Sequence, residues 1–121
     1  MPIKKSQSTA KRASTAARDL AAVVSPLLAD LRGVTVQTKS HNASYLIRKK
    51  VFAFTRKDGV AVKLPEARIR QLIEQMDVSF LVMGKRSMRE WALIRHANHS
   101  DFAKDLTLFR ESIAFVSSLE A

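Results

Sequence analysis

Apolar residues follow a helical spacing near both ends of the chain and alternate with polar ones between them. Leu20, Val23, Val24, Leu27, Leu28 and Leu31 fall on i, i+3, i+4, i+7 positions, which predicts an amphipathic helix over residues 19–32. Ser25-Pro26 interrupts that stripe, because proline lacks an amide donor and crowds the carbonyl of Ala22. Either the helix kinks there or a second one starts with Ser25 as its N-cap. Gly33 supplies a stop. At the other end Phe102, Leu106, Phe109, Ile113 and Val116 are spaced 4, 3, 4, 3, so a closing helix runs from an N-cap at Ser100 to about residue 118.

Between these helices the pattern is that of strands. Residues 34–38 and 43–47 read as two of them, and Arg48-Lys49-Lys50 leads into a ribbon over 51–65, VFAFTRKDGVAVKLP. The Arg48–Lys50 link has no Gly, Asn or Asp to take positive φ, so a tight turn is less expected there than at Asp58-Gly59. A three-residue loop, Lys57-Asp58-Gly59, sets Phe54 opposite Val62 and Phe52 opposite Leu64, with all four on one side. A two-residue Asp58-Gly59 loop sets Phe54 against Lys63 and divides the apolar face, so the three-residue loop is expected. Pro65 then opens a middle helix over 66–76, with Ile69, Leu72, Ile73 and Met76 as its buried face. Strands follow at 78–83 and 88–94, joined by the loop Gly84-Lys85-Arg86-Ser87. The order implies an α+β fold: an antiparallel sheet of about five strands with an N-terminal, a middle and a C-terminal helix packed on it.

At 121 residues the chain fits one domain with a core large enough to stand without staples, and it has no cysteine for disulfides or thiolate metal sites. No apolar stretch approaches the roughly 20 residues of a membrane span, and no apolar segment follows the basic start, so the expected setting is cytoplasmic, with no membrane partner. Residues 1–18, rich in Lys, Ser, Thr and Ala, read as a mobile basic tail ahead of a domain over 19–121, and they share the composition of an organelle transit peptide.

The net charge of +10 is unevenly placed. Residues 1–18 carry +5, residues 39–70 carry +7, and the two remaining segments carry −1 each. A concentrated positive field attracts polyanions such as nucleic acid or acidic membrane surfaces. The candidate nucleic-acid-binding set is Arg48, Lys49, Lys50, Arg56, Lys57 and Lys63 on the ribbon, with Arg68 and Arg70 just beyond. On a β-ribbon lying along a groove, such cations meet phosphates and position the protein without reading sequence.

Phe52-Ala53-Phe54, Lys57-Asp58-Gly59, Val62-Lys63-Leu64-Pro65 and Arg86-Ser87-Met88-Arg89-Glu90-Trp91, in that order, resemble the TfoX N-terminal and YjbR-like families of small bacterial proteins. The likeness covers about residues 34–118. Ser87 stands where those families have proline, and Lys85 separates Gly84 from Arg86. The resemblance implies an α+β domain, linked in some relatives to DNA binding and gene regulation, and it implies no catalytic residues.

Other chemistry has less to stand on. Phe52, Phe54, Trp91 and Tyr45 could stack on bases, but their alternation suits a core, Tyr45 being the open case. His41, His96 and His99 could bind zinc, but His96-Ala97-Asn98-His99 falls at a strand-to-helix loop and no cysteine supports the set, so surface or structural histidines are expected. Asp101 and Asp105 read as an exposed acidic start to the last helix. With no nucleophile elbow, no Gly-rich phosphate loop and only three glycines, no enzyme and no cofactor is expected. The sequence therefore favours a binding domain, with nucleic acid as the first partner and a protein partner or homodimer as the second.

Overall fold

The computed structural model describes residues 20–39 and 41–119, so the expected basic tail lies outside the described residues. The fold is α+β, as the pattern implies, with six strands: β1 (Val34–Lys39), β2 (Asn42–Ile47), β3 (Lys50–Arg56), β4 (Gly59–Lys63), β5 (Val78–Met83) and β6 (Arg86–Ile94). All neighbours are antiparallel, in the order β1-β2-β3-β4-β6-β5. Helix α1 covers 20–29, α2 Glu66–Gln75 and α3 Leu106–Leu119. No helix among the described residues is long and apolar enough to cross a membrane.

The helices cover one face of the sheet. Leu20, Val24 and Leu28 from α1, Ile69 and Leu72 from α2, and Phe109 and Val116 from α3 close over Tyr45, Phe52, Val60, Val62 and Ile94. Both terminal apolar stripes are thus used within the chain. Helix α1 passes through Pro26 without interruption, and Ser25 is not a cap. Its hydroxyl instead hydrogen-bonds the phenol of Tyr45 at 2.9 Å, tying α1 to β2. In α2, Pro65 occupies the N-cap in extended conformation rather than the first helical position, and Ile73 is 40% exposed rather than buried. The last helix begins as a 3-10 helix, His99–Asp105, with Asn98 at its N-cap instead of Ser100.

The central ribbon folds one residue out of the expected register. Arg56 pairs with Gly59, so the loop is Lys57-Asp58, and Phe54 lies opposite Ala61 rather than Val62. With a side-chain period of two, that slip sends Phe54 to the face away from the helices. Phe52 keeps its place in the core through a β-bulge. Leu46 pairs with Val51 and Tyr45 with Ala53, leaving Phe52 as an extra residue on β3, and both Phe52 and Ala53 are fully buried. The Ser112 hydroxyl of α3 donates to the Phe52 carbonyl at 3.1 Å, so the irregularity carries its own polar partner. Gly59 has a spatial role. A Cβ there would lie 2.4 Å from the carbonyl oxygen of Ile94 on the neighbouring β6.

A second irregularity shapes the other face. Phe80 pairs with Ala92 but Leu81 with Met88, so Arg89, Glu90 and Trp91 are extra on β6. The outer part of the β5–β6 hairpin leans over the open face, where Arg56 Nη1 reaches the Val82 carbonyl at 3.5 Å. Ala61, Leu81 and Leu93 are buried beneath it, flanked by Phe54, Met88 and Trp91.

Candidate functional site

Antiparallel pairing places the two turns of β3 at opposite ends of the sheet. The β2–β3 turn is Arg48-Lys49 and the β3–β4 turn is Lys57-Asp58. A seven-residue strand separates them, about 20 Å at ~3.3 Å per residue. The eight expected cations, six on the ribbon and two just beyond it, therefore do not form one surface. Three of them are met by carboxylates. Arg56 lies 3.4 Å from Asp58. Arg68 donates from two guanidinium nitrogens to Glu111 at 2.9 and 3.2 Å. Arg70 donates to Glu66 at 2.6 Å, and that contact is the main reason the Glu66 carboxyl is held below its ordinary range. Lys57 is exposed at the far end.

Arg48, Lys49, Lys50 and Lys63 remain together. None of the four pairs with a carboxylate among the described residues. The turn that carries the first two is tight despite lacking Gly, Asn or Asp: Arg48 has φ 52° and Lys49 φ 69°. Two-residue hairpin turns of the primed kind need positive φ at both positions, which side chains other than Asn, Asp and Gly tolerate poorly. The cost is about 1–3 kcal/mol per residue.

Lys63 joins this turn to a feature not anticipated from the sequence. It pairs with Trp91 across β4 and β6, and its ammonium sits 5.7 Å from the centre of the indole ring. On one side Lys63 shares a cleft of about 150 Å³ with Lys50, Val51, Val116 and Leu119. On the other it lines an open cleft of about 390 Å³ with Arg86, Met88, Arg89, Glu90 and Trp91. Arg86 and Arg89 are exposed, and Arg89 approaches a carboxylate only at 3.9 Å, from Glu66. Arg86 and Arg89 thus extend the cationic end, although they lie far from the ribbon in sequence. The extra residues on β6 that bring Arg89 and Trp91 beside Lys63 leave no composition signal.

The aromatic candidates separate by face. Tyr45 and Phe52 are fully buried, and burial pushes the Tyr45 phenol up, so neither is a stacking surface. Phe54 and Trp91 pack against each other on the open face, ring centres 5.3 Å apart, and Trp91 is half-buried. Asp105 is not an exposed helix start. It is buried and bound to His96 Nε2 at 2.7 Å, while His96 sets its ring edge-on to Phe102. Burial raises the Asp105 carboxyl above its ordinary range against the opposing pull of that hydrogen bond. His96 and His99 line a small cleft with Lys57, Asp58 and Gly59, and His41 sits in the β1–β2 turn. No group of three potential metal ligands occurs among the described residues. Comparison with protein-family models, curated proteins and solved structures found no match.

Proposed function

We propose that this is a non-catalytic cytoplasmic domain that binds nucleic acid through the end of the sheet bearing Arg48, Lys49, Lys50 and Lys63, extended by Arg86 and Arg89. The observation that carries the reading is the absence of a carboxylate partner for the first four among the described residues. Cations gathered at one end release counterions when they meet phosphates, which is the main source of sequence-independent affinity. The resemblance to TfoX N-terminal and YjbR-like proteins agrees with a gene-regulatory role. Anisotropy of labelled random-sequence oligonucleotides at descending salt tests the proposal: binding should appear at low salt and weaken steeply as salt rises. Absence of binding at the lowest salt contradicts it.

The rival reading is a module that binds a protein or a second copy of itself. It is favoured by Val82 and Met83, 53% and 51% exposed at the tip of the β5–β6 hairpin. Light scattering separates the two readings: a stable dimer without nucleic-acid affinity supports the rival.

A further inference from the structure

The geometry points to single-stranded nucleic acid as the preferred ligand of the cationic end, with an unpaired base received in the Trp91 cleft. This rests on the polyanion reading above and adds to it a choice between strands. The cleft joins the two features that single-strand sites combine: a cationic track for the backbone and an aromatic surface for a base. Lys63, Arg86 and Arg89 stand around it, Met88 and Trp91 give it apolar surface, and Glu90 offers an acceptor for base N–H groups. Its volume of about 390 Å³ lies at the small end of the range for pockets that hold small organic groups. The indole is held in place rather than left to rotate, with Phe54 at 5.3 Å and the Lys63 ammonium at 5.7 Å. Bases inside a duplex are stacked on their neighbours and offer no π-face to an indole, whereas an unpaired base does. From Lys63 the cations continue to Lys50, Lys49 and Arg48, so a strand whose base enters the cleft finds phosphate partners as it leaves.

Trp91 is the chain's single tryptophan, so its emission reports on this site alone. The full chain is titrated at low salt with a twelve-nucleotide oligo-dT, with the duplex of that oligonucleotide, and with inorganic polyphosphate. Oligo-dT should quench Trp91 emission at least about twofold, while polyphosphate competes for binding with little quenching and the duplex quenches less than the single strand. Trp91→Leu should weaken oligo-dT binding about tenfold, read by anisotropy of a labelled strand, and leave polyphosphate affinity unchanged. The exposed pair Arg86→Ala with Arg89→Ala, which leaves the indole packing intact, should also weaken oligo-dT binding. Equal quenching by all three polyanions, or wild-type oligo-dT affinity in either variant, overturns the inference while the polyanion reading stands. If none of the three binds, both fall together.

Discussion

The two turns that bound β3 have the same length, and each carries a lysine beside a second charged residue, yet they are built in opposite ways. At Lys57-Asp58 the backbone keeps negative φ, Asp58 lies within 3.4 Å of Arg56, and Gly59 admits the Ile94 carbonyl. At Arg48-Lys49 both residues are held at positive φ, and no carboxylate among the described residues meets them. The first turn is arranged for stability. The second keeps two cations in a costly conformation with no carboxylate partner among the described residues, and strain of this kind collects at functional sites. Counting bases along a ribbon does not locate a binding surface; the pairing of each base does.

Removing charge from each end should have unequal effects. Replacing Arg48, Lys49, Lys50 and Lys63 together by alanine should lower oligonucleotide affinity on the order of a thousandfold at 0.1 M salt, given four lost phosphate contacts. Replacing Arg56 and Lys57 should change it less than about twofold, since the first is already paired and the second stands apart. Equal losses from the two ends would erase the distinction.

Stability should respond in the reverse sense. Gly59→Ala should cost about 1–3 kcal/mol in urea unfolding, because the added methyl meets a backbone carbonyl that cannot move aside. Arg48→Asn with Lys49→Gly should stabilise the protein by about 1–2 kcal/mol while weakening oligonucleotide binding, since both new residues accept positive φ. Stabilisation without loss of affinity would mean that the turn's charge is incidental.

Smaller effects sharpen the picture. Asp105 is bound to His96, which lines the cleft beside Lys57-Asp58, and burial raises its carboxyl above the ordinary value. A raised folded-state value means that this group's contribution to stability is full below the ordinary carboxyl range and is lost as pH rises through the folded value. Asp105→Asn removes that titration, so the variant's stability relative to the wild type should climb as pH rises from about 4, followed by urea unfolding at several pH values. A flat difference would show that the His96 hydrogen bond fully offsets the burial. Smallest of all, Glu66→Gln should strengthen oligonucleotide binding about twofold or less by releasing Arg89 from its 3.9 Å neighbour.

The class of fold was legible because long apolar stripes such as Leu20–Leu31 have one economical use, to cover a sheet. The register of the ribbon was not. Gly59 invites assignment to the loop, but its task is to clear the Ile94 carbonyl on a strand 35 residues away, which local pattern cannot express. The positions of Phe52 and Trp91 likewise depend on extra residues within β3 and β6, and such bulges change facing without changing composition. Of the eight expected cations, Arg48, Lys49, Lys50 and Lys63 share one end of the sheet. Arg68 left the group through folding, Glu111 lying on a helix 43 residues beyond it, whereas Arg56 and Arg70 are met by local carboxylates, Asp58 and Glu66. Arg86 and Arg89 joined the cationic end through the same long-range geometry.

The most direct test of the account is the slope of log K against log salt for one labelled oligonucleotide, measured on the wild type, on the Arg48/Lys49/Lys50/Lys63 alanine variant and on the Arg56/Lys57 alanine variant. On a single strand, contacts to four to six phosphates predict a wild-type slope of about −3 to −4, a far-end variant within about one unit of it, and a near-end variant shallower by about 3. A wild-type slope near zero, or one that flattens equally in both variants, would contradict the claim that the protein meets its ligand at one end of the sheet.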